Sequence, residues 1–223
     1  MAYLKSPELA PELVQGLLES LASWDPRASV PLALNFMGNG DAAALEGFDA
    51  LALGNPVAKE MLEERYLSPV PDPEYLASLA EGSLGREFSR YLSENDLDVN
   101  LLRESAFIEA HSARGEDVGY LAERGFQLHD LFHVLTGFDT TPLGEVRVVS
   151  FTVAQMPAPY PAMIIATRPL QMVLYKPELL PIVMDAVTEG WALGRRAKAL
   201  MAVHWEEYWT CPLADLRAEY GLL

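Results

Sequence analysis

Between Leu128 and Val146 the chain gathers side chains that can hold a metal ion: His129, Asp130 and His133, then Glu145 beyond a turn. A helix advances about 100° per residue, so His129, Asp130 and His133 fall within an arc of about 100°. Leu128, Leu131, Phe132 and Leu135 cover most of the opposite side and can pack. Two imidazoles and a carboxylate then share one face, and a second carboxylate can return after a short loop. Imidazole nitrogen with carboxylate oxygen suits zinc, iron or manganese. The same residues have a plainer reading, with ordinary helix histidines and a solvated Asp130. Thr141-Pro142 reads as a cap and first helical residue, and an acid in the first turn, as at Glu145, is favoured by the helix dipole. The residues alone leave both readings open.

Helices must position these groups, and helix signals recur along the chain. Leu9, Leu13, Leu17 and Leu21 give near-helical spacing from Pro7 to Ser23. Asp25-Pro26 opens a second helix through about Met37, stopped by Gly38-Asn39-Gly40. Asp41 opens a third through about Leu53, Asn55-Pro56 a fourth to Tyr66, and Asp72-Pro73-Glu74 a short one to Ala80. A turn at Glu81-Gly82-Ser83 precedes a helix through Tyr91 and Leu92, followed by a polar loop from Glu94 to Asn100. Asp117 precedes a long helix carrying the histidines to Leu135, stopped at Gly137. The run Val146, Val148, Val149, Thr152, Val153 is rich in β-branched residues but does not alternate, so it reads as a helix buried nearly all round. Apolar helices follow at about Met163 to Tyr175 and Pro177 to Leu193. Another runs through His204, Trp205 and Trp209, and a last one from Pro212 to Gly221. The expectation is an all-α, single-domain multi-helix bundle over residues 1–223.

Composition narrows the function. Sixteen basic against thirty-two acidic residues give a net charge of −16, and no basic cluster is present to neutralise phosphates, so nucleic acid is not a partner. Cys211 is the only cysteine, which excludes an intrachain disulfide and fits a reducing compartment. The start lacks a signal or transit-peptide pattern, and the expected location is cytoplasmic. The uncharged run Val148 to Thr167 is about long enough to span a bilayer, but Pro157, Pro159 and Pro161 interrupt it.

The His-Asp-x-x-His stretch, with eleven residues between His133 and Glu145, resembles the fourth COQ protein family of ubiquinone (coenzyme Q) biosynthesis. Glu81-Gly82-Ser83-Leu84-Gly85-Arg86, Leu143-Gly144-Glu145-Val146, Gly194-Arg195-Arg196 and the ending from Trp209 to Gly221 are similar to further landmarks of that family, in the right order. The resemblance covers roughly Glu81 to Leu222, and residues 1–80 show no landmark. It implies an all-helical fold with an internal hydrophobic tunnel for a polyprenyl chain. It also implies a divalent metal (zinc, iron, manganese or magnesium) on His129, Asp130, His133 and Glu145. The activity implied is oxidative removal of the ring carboxylate of a polyprenylated hydroxybenzoate, with hydroxylation of the same carbon. Expected partners are a polyprenyl lipid or ubiquinone precursor, other ubiquinone biosynthesis enzymes and, in a homodimer, a second copy of the chain. Peripheral contact with the inner face of a bacterial membrane is also implied.

Around the motif, Phe132, Val149, Met156, Met163 and Met172 could line a lipid site, since methionine and aliphatic side chains accommodate a flexible isoprenoid. Arg124, Arg195 and Arg196 could hold a carboxylate or phosphate at its mouth. The counter-reading makes these residues plain core and solvated helix ends. His111 and His204 read as structural, and Trp205 and Trp209 as core. Two further functions compete: a scaffold that binds polyprenyl lipid and organises partner enzymes, and a metal-dependent lipid phosphohydrolase. The latter needs further ligands in sequence order, and only His204 remains among histidines after Glu145.

Overall fold

A computed structural model of the chain describes residues 10–25, 28–97 and 106–223. Among these are twelve α-helices and no strand, as the sequence predicts. Pro7, Leu9, Pro26 and residues 98–100 lie outside the described residues. The early helices are α1 (Pro11–Ala22), α2 (Ser29–Asn39), α3 (Ala42–Leu53), α4 (Pro56–Glu64), α5 (Pro73–Ser78) and α6 (Leu84–Glu94). Three of them start on the predicted residues Asp41, Asn55 and Asp72, and a fourth on Ser83, which the sequence places in a turn. Asp41, Asn55, Asp72 and Ser83 each accept a hydrogen bond from a free backbone N–H of the first turn.

A short helix, α7 (Ala106–Ser112), precedes α8 (Glu116–Thr136), which carries the histidines and ends on Gly137 with φ of 77°. After it come α9 (Pro142–Gln155), α10 (Pro159–Tyr175), α11 (Leu180–Arg196) and α12 (Leu213–Tyr220). The proline run breaks Val148–Thr167 into α9 and α10, so the stretch that was long enough for a membrane is two helices. No described helix is long and apolar enough to cross a membrane. One expectation fails: the segment through His204 to Trp209 is not an α-helix but turns and a 3₁₀ segment, Trp205–Tyr208. Trp205 explains the departure. Its ring is fully buried, and its indole N–H donates to the Leu200 carbonyl at 3.1 Å, which folds the chain back on itself.

The main core joins α4, α5, α6, α8, α9 and α12, with Phe88, Leu128, Phe132, Phe151, Trp205 and Leu216 among its members. Helix α9 is buried on most sides and packs most extensively against α11. A Cβ at Gly190 would sit 2.1 Å from the Arg147 carbonyl oxygen, and one at Gly194 would sit 2.7 Å from that of Phe151. These two glycines, four residues apart on one face of α11, let the two backbones approach closely, which fixes α9 and hence Glu145.

The end of α8 is held equally firmly. Arg217 of α12 donates through Nε to the Leu135 carbonyl at 2.9 Å and through Nη2 to that of Val134 at 2.7 Å. Those are two of the carbonyls that a helix C-terminus leaves without partners.

Candidate metal centre and adjoining pocket

His129 and His133 are one helical turn apart on α8, and their rings meet edge to face with centroids 5.1 Å apart. Glu145 reaches them from the first turn of α9. The connection is set by hydrogen bonds within residues 139–144. The Thr141 N–H and O–H donate to Asp139 Oδ1 at 3.1 and 2.5 Å, and Thr141 Oγ1 accepts from the Gly144 N–H at 3.2 Å. A Cβ on Gly144 would lie 2.0 Å from the Asp139 carbonyl oxygen, so only glycine lets the loop close there.

The geometry fits a cation. One ligand atom from each of His129, His133 and Glu145 lies within 4.8 Å of the others. Glu145 Oε1 is 3.4 Å from His133 Nε2, and Oε2 is 3.6 Å from His129 Nε2. Donors about 2.1 Å from a tetrahedral ion stand about 3.4 Å apart. His133 adds an independent sign. Its Nδ1 is 3.0 Å from the Phe138 carbonyl, which can only accept, so Nδ1 carries a proton and Nε2 is the nitrogen turned toward Glu145. That Nε2 is buried, with Glu145 Oε1 at 3.4 Å as its polar neighbour and no well-formed hydrogen bond. A buried ring nitrogen beside a carboxylate, with the other nitrogen held by a backbone carbonyl, is the arrangement of a histidine that ligates metal.

The electrostatics are those of a site that pairs cations with Glu145. Burial alone would raise the Glu145 carboxyl, but the facing His129 and His133 hold it down at about 2. Burial pulls the His129 imidazole down, yet Glu145 and then Asp130 reverse this and leave it raised.

Asp130 departs from the expected ligand set. It is not among the clustered ligand atoms. Its charge acts instead on Tyr91, a residue the motif does not flag. The Tyr91 ring stacks on His133 with centroids 5.5 Å apart, and burial, Asp130 and Glu145 raise its phenol in that order. The phenol therefore stays protonated.

His129 also lines a pocket. Val118, Leu121 and Gly125 of α8 face Val149 of α9 and Met156 just after it across a mostly apolar cavity of about 120 Å³, closed by α3 and the start of α10. Of the expected lipid-site residues, Val149 and Met156 lie here and the others do not. Phe132 packs edge-on against Phe151 in the core, Met163 packs on a small cluster around Ala33 and Met37, and Met172 is buried on α10. Burying a long helix takes apolar residues on every side, so an apolar side chain near the motif is more often wall than lining.

The three arginines are likewise placed elsewhere. Arg124 is fully buried, and its guanidinium donates to Ser68 Oγ at 3.0 Å and the Val203 carbonyl at 2.7 Å, with Glu206 at 3.4 Å. Arg195 borders a separate shallow cleft between α3, α9 and α11, and Arg196 donates to the Leu223 carbonyl at 3.1 Å. His111, expected to be structural, is buried and contributes to the pocket wall, as do Asp49 and Arg114 of α3 and the turn before α8. His204 stacks on Tyr66 with centroids 3.8 Å apart, and Trp205 and Trp209 are core.

Residues 39–223 match the family described as "Coenzyme Q (ubiquinone) biosynthesis protein Coq4", a match that starts upstream of the Glu81 landmark. The chain is 31% identical over 173 residues to the mitochondrial ubiquinone biosynthesis protein COQ4 homolog of Rattus norvegicus and 33% over 180 residues to that of Mus musculus. Each alignment covers 75% of this chain, and it spans only 62% and 61% of those relatives, less than two thirds of their length. Against the corresponding protein of Drosophila ananassae identity is 30% over 232 residues, covering 99% of this chain and 82% of the relative. The crystal structure of a candidate ubiquinone biosynthesis protein from Nostoc punctiforme PCC 73102 has the same fold. Its TM-score is 0.73 at 23% identity, over 95% of this chain and 97% of that one.

Proposed function

Because this chain belongs to the coenzyme Q (ubiquinone) biosynthesis protein Coq4 family, we propose that it binds a divalent metal ion through His129, His133 and Glu145 and an apolar ubiquinone precursor in the adjoining pocket. The reaction we assign is oxidative removal of the ring carboxylate of a polyprenylated hydroxybenzoate: the carboxylate leaves as carbon dioxide, a hydroxyl whose oxygen comes from water takes its place, and external dioxygen accepts the two electrons and leaves as hydrogen peroxide. The observation that carries this reading is the double role of His129, which belongs both to the ligand cluster and to the pocket wall.

When bound, the ion supplies Lewis-acid orientation of the ring's oxygen substituents. The protein supplies the rest. Glu145 brings negative charge to the imidazoles, the Phe138 carbonyl holds the proton on His133 Nδ1, and the Tyr91 ring stacks on His133 while its phenol keeps its proton beside Asp130. Val149, Met156, Leu121 and their neighbours exclude water from the prenyl chain. Peripheral association with the inner face of a bacterial membrane, and contact with other enzymes of the same pathway, complete the proposal.

Native mass spectrometry of the purified protein for metal and co-purified lipid tests the binding half. Turnover of a farnesylated hydroxybenzoate under oxygen tests the chemistry. Metal removal should abolish turnover while the fold persists. Turnover retained without metal overturns the assignment, and unfolding on metal removal points to a scaffold with a structural ion.

A further inference from the structure

One glycine of α8 is not required by packing. Gly125 lies inside a 21-residue helix, where glycine is less stable than alanine because its backbone loses more freedom on folding. Buried helical glycines elsewhere have a steric reason. A Cβ on Gly119 would stand 2.9 Å from the Ser112 Cα, and those on Gly144, Gly190 and Gly194 would strike backbone oxygens. A Cβ on Gly125 would meet only Met201 Cε, at 3.6 Å, which is ordinary contact, and its φ is not positive. What Gly125 faces is the pocket. Val118, Leu121, Gly125 and His129 follow one face of α8 and all border the cavity, as does Met201 opposite Gly125. Side chains on a helix lean toward its N-terminus, so the His129 imidazole leans over the turn that Gly125 occupies. The space that a side chain at position 125 would fill therefore belongs to the cavity and adjoins the imidazole.

We propose that Gly125 is a specificity-determining residue of this pocket, its bare backbone forming the floor on which a planar aromatic ring lies beside His129. Glycine is the residue that lets a ligand approach a backbone closely. A rigid ring needs width next to the ligand cluster, and a side chain at position 125 would take that width away. A saturated chain is slender and turns about its single bonds, so it can pass such a side chain. The ring end of the ligand therefore lies at Gly125 and His129, and its flexible part takes the rest of the cavity. Helix stability is given up at Gly125 to keep that space open. The inference rests on the reading that an apolar ligand fills this cavity, and it sets which end of that ligand meets His129.

Equilibrium dialysis with 4-hexylphenol and 1-dodecanol, combined with thermal melting, tests it. The two probes have equal carbon number and one hydroxyl each, and differ in the ring. Gly125→Ala should raise the melting temperature by about 1–4 °C, since it gains helix propensity and meets no clash. The same variant should weaken 4-hexylphenol by about two- to fivefold, and Gly125→Val by about tenfold or more, as the floor fills. Affinity for 1-dodecanol should stay within about twofold in both, which reports an intact pocket. If Gly125→Val does not fold, the ratio of the two affinities in Gly125→Ala decides. Gly125→Ala protein that melts below the parent overturns the proposal, because the glycine would then serve packing. If both probes bind the parent and their ratio is unchanged in the variants, Gly125 alone is removed and the apolar-ligand reading stands. If neither probe binds the parent, that reading falls and this inference with it.

Discussion

The His133 imidazole has one nitrogen committed to the Phe138 carbonyl and the other buried beside Glu145. Replacing it with alanine removes a ligand and leaves Glu145 with one imidazole. His133→Ala protein, analysed for metal by inductively coupled plasma mass spectrometry, should retain far less than one equivalent, with a circular dichroism spectrum like the parent's. Full stoichiometry would remove His133 from the site. Asp130→Asn should behave differently. Asp130 is outside the clustered ligand atoms, so metal content should stay near the parent value, and loss equal to that of His133→Ala would restore Asp130 as a ligand. At this scale the sequence was legible where chemistry is local. His129 and His133 on one helix and Glu145 after a capped turn follow from spacing alone. Arg114 and Asp49 pair across 65 positions of the chain, and neither sits in a pattern that announces the other. Tyr91 likewise meets His133 only through the packing of α6 on α8. Long-range pairs of this kind carry no local signal.

Helix α9 delivers Glu145, and two features of its surroundings set where it does so. Thr141 caps its N-terminus through Oγ1, and Gly190 admits its backbone. Thr141→Ala should cost about 1 kcal/mol in chemical denaturation, the usual loss for a removed cap. Gly190→Ala meets a backbone oxygen rather than a flexible side chain, so it should cost about 1–3 kcal/mol or more through overpacking. For a chain of this size that is roughly 2–4 °C of melting temperature per kcal/mol. A melting temperature unchanged in Gly190→Ala would mean that the contact between α9 and α11 is not close in solution. The starts of these helices could be read because caps and prolines are local chemistry: Asp41, Asn55, Asp72 and Thr141 all stand where they were expected. The stretch from His204 to Trp209 could not. Its residues suit a helix, and what overrides them is burial of the Trp205 ring in a core built by distant helices.

Viewed as one molecule, the chain joins a charge of −16 to an uncovered apolar surface. Leu170, Val173, Leu174 and Tyr175 at the end of α10, with Leu179 and Ile182 leading into α11, are each at least 40% exposed. Peripheral contact with a membrane, as proposed above, would use this surface by apolar insertion, because the net charge opposes attraction to anionic lipid. Burying one such side chain is worth about 1.5–3 kcal/mol, so Leu174→Asp with Ile182→Asp should weaken partitioning by at least about a hundredfold. Co-sedimentation with phosphatidylcholine vesicles measures this directly. Adding phosphatidylglycerol to the vesicles should not strengthen binding of the parent protein, and raising the salt should not weaken it. Binding that grows with anionic lipid and collapses in salt, or that survives the double substitution, would assign the contact to another face of the molecule.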